Sequence, residues 1–177
     1  MARRSTLAVL AAFAFAALAG CAQQQAAAPA QPAATPAPLT SDQNFVDRAA
    51  LGTGTEVELG RLARTRAASP AVRAFADRII TDHRQAHSRL TRLERSTHMA
   101  AMPVAPPANQ LASLPGPQFD RAFMVDQIKN HQEAIQLFQA EAQTGQDPRL
   151  RKYASDMLPM LHRNLQDAQA IAARLGS

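Results

Sequence analysis

Four residues of this chain pair ligand chemistry with an apolar setting: Glu56, His83, His131 and His162. Each interrupts a run of apolar side chains recurring at spacings of three and four, the pattern that places residues on one face of a helix. One carboxylate and three imidazoles form a donor set suited to a single transition-metal ion, Zn²⁺, Fe²⁺ or Mn²⁺. The same four residues also fit a metal-free polar cluster, with hydrogen-bonded core histidines and a glutamate paired to a neighbouring imidazole.

A second chemistry lies near the N-terminus. Arg3 and Arg4 precede an apolar stretch from Leu7 to Leu18, and the stretch closes on Leu18-Ala19-Gly20-Cys21. A basic start, a short apolar segment and small residues before a cleavage point make a secretory signal, and the segment is too short to span a bilayer. An aliphatic residue, two small residues and a cysteine at this distance resemble a lipoprotein signal, which implies cleavage after residue 20 and a lipid on the Cys21 sulfur. Ala22, rather than Asp, follows the cysteine. By resemblance to sorted lipoproteins, this implies attachment at the periplasmic face of the outer membrane.

Removing residues 1–20 takes Arg3 and Arg4 and no acid from the 19 basic and 14 acidic residues, which leaves a net charge of +3. The remaining charges alternate in sign, which argues against a nucleic-acid footprint. Cys21 is the only cysteine, so no intrachain disulfide can form and the fold rests on its own core or a ligand. Residues 21–39 are rich in Ala and Gln and are interrupted by Pro29, Pro32, Pro36 and Pro38. Such a segment offers little to bury and reads as a disordered tether. Residues 40–177 suffice for one domain with one core.

The elements that must position the four donors are helices. From Thr40 onward no period-two run flanked by hairpin signals occurs. Thr40 with Gln43 forms a capping box for a first helix reaching about Ala68, across the weak Gly52-Thr53-Gly54-Thr55 stretch. Ser69-Pro70 and Asp147-Pro148 each place a capping residue before a proline at the first helical position, starting helices two and four. Helix two runs to about His98, beyond which Pro103, Pro106, Pro107, Pro115 and Pro117 bar its continuation. Helix three covers about 118 to 144 and stops at Gly145, read as a left-handed cap. Short turns force antiparallel pairs, so the expected fold is all-α: a four-helix bundle of two antiparallel hairpins joined by a Pro-rich connection. That connection either turns helix three back beside helix two or crosses the length of the bundle.

The seams predict where the donors meet. In helix two, Val72, Ala76, Ile79, His83, Ala86, Leu90 and Leu93 share a face; in helix three, Phe123 or Met124, Ile128, His131, Ile135 and Phe138 do. In helix one, Phe45, Ala49, Gly52, Glu56, Leu59 and Ala63 align, and in helix four Leu158, Leu161, His162 and Leu165, with His162 nearer the edge. Glu56 and His83 are equidistant from the first turn, His131 and His162 from the second. His83 and His131 also lie at comparable distances from the long connection, roughly 20 Å at a helical rise of 1.5 Å per residue. The expectation is one polar cluster at mid-height.

Other candidates carry less. Asp82 and Glu58 sit at seam edges, His87 lies one turn from His83, and His98 sits at a helix end. Met99, Met102, Met124, Met157 and Met160 suggest copper, but thioethers on helices usually pack. No Ser, Cys or Gly-rich arrangement points to nucleophilic catalysis or phosphate binding. Glu56-Val57-Glu58-Leu59-Gly60-Arg61-Leu62-Ala63, the run from Phe75-Ala76 to Asp82-His83, Phe119-Asp120-Arg121-Ala122-Phe123, His131 and Leu158-Pro159 with His162 resemble the bacterial envelope family of domain of unknown function 4142. The resemblance implies a ferritin-like bundle, an outer-membrane location, no established activity, and a metal site at Glu56, His83, His131 and His162. Ile128 and Pro159 stand three residues before His131 and His162, where a di-iron pattern has Glu, so iron oxidation or storage is not implied. Three functions stay open: a metal-binding envelope protein, a metal-dependent redox enzyme at the same cluster, and a metal-free scaffold for another protein.

Overall fold

The computed structural model describes residues 41–97 and 110–176. The signal, Cys21, the tether, Thr40 and His98 lie outside these residues. The elements are α1 (Ser41–Arg66), α2 (Pro70–Thr97), a short 3-10 turn (Gln110–Ser113), α3 (Gly116–Thr144) and α4 (Pro148–Leu175), with no strand among the described residues. The bounds follow the caps and prolines of the sequence. α1 stays continuous across Gly52 and Gly54, where the Thr53 hydroxyl folds back onto the carbonyls of Ala49 and Ala50 at 2.9 and 3.0 Å. α4 begins where the Asp147 side chain accepts from the Arg149 amide at 2.7 Å, relieving one of the four amides a helix start leaves unpaired. At the end of the Pro-rich connection, Leu111 of the 3-10 turn is buried in the core.

Gly145 corrects one expectation. Its φ of −56° and ψ of 147° are not left-handed. The glycine is needed for space, because a Cβ there would collide with the Glu141 carboxylate and its carbonyl oxygen.

Two buried aspartates fix how the hairpins pair. Asp42, in the first turn of α1, accepts from the amides of Gln146 and Asp147 at 2.7 Å each, capping the α3–α4 turn. Asp120, in the first turn of α3, accepts from the amides of Ala68 and Ser69 at 3.1 and 2.7 Å, capping the α1–α2 turn. α3 therefore starts at the end where α1 and α2 join, and the connection crosses the length of the bundle. Each helix runs antiparallel to both neighbours, α1 packing on α2 and α3, and α4 on α3 and α2. The arginines repeat the device. Arg73 donates to the Ala67 and Ala68 carbonyls, and Arg151 to those of Gly145 and Gln146. Asp42 and Asp120, Phe45 and Phe123, Arg73 and Arg151, and Phe75 and Tyr153 are each 78 residues apart, so the two hairpins are structural repeats of one another.

The core comes in two apolar blocks. One gathers Phe45, Leu90, Phe138, Leu150, Tyr153 and Leu161 towards the Asp42 end; the other gathers Val72, Phe75, Ile79, Phe119, Phe123 and Met124 towards the Asp120 end. Along each helix the change from one block to the other falls at a buried polar residue: Glu56 in α1, His83 in α2, Gln127 and His131 in α3, and Asn164 in α4.

Candidate metal centre

The polar layer at mid-bundle is built from one or two side chains per helix, each held by its helix phase. Glu56, His83 and His131 are buried as their seams predict. His162 is not: it is exposed, and the expectation of an inward imidazole on α4 is corrected. The buried face of α4 runs through Leu150, Tyr153, Ala154, Met157, Leu161, Asn164 and Ala168. His162 follows Leu161 and is turned about 100° from it around the helix, while Asn164 fills the inward place. The height assigned to the α4 polar residue holds; its azimuth does not.

Both oxygens of Glu56 accept a hydrogen bond. Its Oε2 accepts from Gln127 Nε2 at 2.6 Å and its Oε1 from Asn130 Nδ2 at 2.9 Å. Gln127 and Asn130 follow one another on α3 at the spacing that puts two side chains on one face, and neither carries a signal among apolar neighbours that marks it as a partner for Glu56. Asn164 Nδ2 lies 3.3 Å from Asp82 Oδ2 and 3.2 Å from Met160 Sδ. Asp82 thus serves the layer from its edge, whereas Glu58 is exposed and pairs with Arg61. His87 is exposed, with its Nδ1 3.4 Å from the Thr53 hydroxyl.

The two buried imidazoles carry three of the layer's unpartnered polar atoms, and Gln127 Oε1 is a fourth. His131 Nδ1 is 2.9 Å from the Gln127 carbonyl, an acceptor only, so the ring donates there and carries its lone pair on Nε2. That Nε2 has no protein partner, and neither ring nitrogen of His83 has one. The rings meet edge to face with centroids 5.5 Å apart. Burial, and then the neighbouring His131, push the His83 pKa down to about 3, so the ring is neutral at physiological pH. Buried polar atoms without partners are rare. Here three lie on two rings in edge-to-face contact.

Both histidines line a cavity of about 330 Å³. Thr53, Glu56, His83, His131, Met157 and Met160 contribute to its wall. Exposed Arg48, Gly52 and Glu133 line it too, so it reaches the surface between α1 and α3. Among the described residues, no three His, Cys, Asp or Glu side chains group as direct ligands of one ion. The four-residue shell expected from the sequence is therefore not assembled. What the layer does offer is two imidazoles with unpartnered nitrogens, a carboxylate whose oxygens each accept one hydrogen bond, and two thioethers on the same wall, that of Met160 accepting from Asn164.

The family model described as a domain of unknown function, DUF4142, matches residues 23–171. No curated protein matches the sequence at a significant level. Among solved structures, a DUF305 fragment from Deinococcus radiodurans is 18% identical, with 81% of this chain and 99% of that one covered at a TM-score of 0.68. A DUF305 protein from Streptomyces coelicolor, described as secreted, is 14% identical over 78% of this chain and 94% of that one, also at 0.68. CopM in its Cu(I)-bound form is 18% identical over 75% and 95%, at 0.65. At these identities the likeness establishes the fold.

Proposed function

The chain belongs to the DUF4142 family, and we propose that it is a lipid-anchored envelope protein whose bundle binds one transition-metal ion between His83 and His131. The observation that carries this reading is the pair of buried imidazoles in ring contact, with three unpartnered nitrogens between them, on residues that line a cavity open to solvent. A metal ligand must present an unprotonated nitrogen. Both rings meet that need: His131 through the tautomer its Gln127 contact selects, and His83 through burial that keeps it neutral. Glu56 supplies negative charge beside the ion while remaining bonded to Gln127 and Asn130. Solved bundles of the same fold named CopM carry Cu(I), Cu(II) or silver, which supports a metal reading of this layer. Attachment through Cys21 and an outer-membrane location complete the reading; among the described residues, no helix is long and apolar enough to cross a membrane.

The test is metal retention by the full-length chain in detergent after equilibrium dialysis against Zn²⁺, Fe²⁺, Mn²⁺ and copper in turn. The wild-type chain should retain one ion per chain and melt at a higher temperature as that metal is added, because a ligand of the folded state stabilises it by mass action. His83→Gln and His131→Gln should each abolish retention, while His162→Gln should not. A melting temperature indifferent to every metal, or retention unchanged in both buried-histidine variants, would remove the reading.

A further inference from the structure

Charges that alternate along the sequence separate by side once the chain is folded. α2 and α4, which pack on one another, carry 11 Lys and Arg against 5 Asp and Glu, whereas α1 and α3 carry 6 against 8. The excess is densest where α2 and α4 meet. Two adjoining grooves there, of about 340 and 230 Å³, share Arg89 and Asp156. Their walls hold five cations, Arg89, Arg92, Arg149, Lys152 and Arg163, against the carboxylates of Asp82 and Asp156. Asp147, which binds Arg149 from beside the groove, still leaves the cations in excess. All but Arg89 are exposed. Arg149 donates to the Ser96 carbonyl at 3.0 Å, and Arg89 reaches Asp156 at 2.8 Å, so the seam itself holds cations in place.

Position adds to charge. The chain enters α1 at the end where Arg149 and Lys152 lie, because Asp42 caps the turn that opens α4. Ser41 follows Cys21 by twenty residues, none of the intervening ones charged, and such a length spans at most about 70 Å. A lipid on Cys21 therefore keeps the bundle beside its bilayer, where the effective concentration is high and a weak attraction suffices. A phospholipid surface with acidic headgroups is the extended anion within that reach, and one acyl signal with a basic patch holds more firmly than either alone. Resting on the lipid attachment proposed above, we propose that the α2–α4 face docks on acidic phospholipid headgroups of the anchoring membrane. The cavity between α1 and α3, on the opposite side of the bundle, then faces water.

The test uses the full chain, matured in cells and moved from detergent into vesicles of phosphatidylcholine alone or mixed with phosphatidylglycerol. A nitroxide is attached at Gln85→Cys in the groove or Thr55→Cys at the cavity. Electron spin resonance then reads its access to a water-soluble relaxant. On mixed vesicles access at Gln85→Cys should fall several-fold relative to phosphatidylcholine alone, and access at Thr55→Cys should stay the same. Arg92→Glu with Lys152→Glu should restore access at Gln85→Cys, as should salt near 1 M, where screening acts over about 3 Å. Both reversed positions are exposed, so the double variant should keep the parent melting temperature. Equal access on both kinds of vesicle, or protection that survives the double reversal and the salt, overturns the docking. Flotation reports the lipid separately. A chain that floats with mixed vesicles only loses the lipid reading and keeps the docking; one that floats with neither loses both.

Discussion

A histidine kept neutral inside a protein makes the fold sensitive to acid. The His83 pKa in the folded chain is pushed down to about 3 from its ordinary 6.5. The unfolded chain then binds the proton more readily, so the stabilising contribution is complete above about 6.5 and is lost progressively as pH falls towards 3. Over that window the metal-free protein should lose on the order of 4 kcal/mol from this group alone. Urea unfolding as a function of pH measures it, and His83→Leu should flatten the slope below pH 6. Glu141 acts with the opposite sign. Burial, and then the nearby Asp42, push its pKa up to about 7, so its contribution is complete below about 4.5 and is lost as pH rises through 7. Glu141→Gln should raise the melting temperature at pH 8 and change it little at pH 5; an equal effect at both would show that the carboxyl is not the titrating group. At this scale the sequence showed which residues are polar in apolar surroundings, and for Glu56, His83 and His131 that sufficed. It failed at His162 because Leu161, His162 and Leu165 lie close enough on a helical wheel for either phase to look apolar. Asn164 set the phase, and an asparagine among Gln, Asp and Arg neighbours gives no hydrophobic signal.

The elements owe their order to devices at their ends. Asp42 and Asp120 each receive two backbone amides from the opposite hairpin's turn, and both are buried. Removing either leaves two turn amides without a partner, and hydrogen bonds to a charged acceptor contribute about 1.5–3 kcal/mol each. Asp120→Ala and Asp42→Ala should therefore each cost about 3–6 kcal/mol in chemical unfolding, and costs near zero would contradict the crossover pairing. The glycines of α1 divide in the same way. A Cβ at Gly54 meets nothing within 4 Å, so Gly54→Ala should stabilise the helix by about 0.5–1 kcal/mol. At Gly60 a Cβ would lie 2.7 Å from Ile80 Cγ1 and 3.1 Å from the Ala76 carbonyl, so Gly60→Ala should destabilise. Helix limits were legible from Ser69-Pro70, Asp147-Pro148 and the proline cluster, since proline and capping chemistry act locally. The crossover was not, because it depends on Asp42 and Asp120 reaching turns 104 and 51 residues away in sequence, beyond any local pattern; the 78-residue repeat of Asp, Phe and Arg is the signal that would have revealed it.

At the scale of the whole molecule, two apolar blocks hold the bundle and a polar layer divides them. The apolar blocks and the layer proposed to bind metal thus occupy different parts of one core. A layer with unpartnered imidazole nitrogens costs stability, since an unpaired buried polar group forfeits about 1–3 kcal/mol; a bound cation that satisfies them offsets the cost. The most direct test is long-range proton–nitrogen NMR of the imidazole rings in the full-length chain, before and after metal is added. Without metal, His131 should show a protonated Nδ1 and a lone pair on Nε2, and His83 should remain neutral at pH 6. On titration with Ag(I), the nitrogens of His83 and His131 should shift together and saturate at one ion per chain, while those of His87 and His162 stay in place. Shifts confined to the exposed histidines, or none at His83 and His131, would contradict a metal centre in the polar layer.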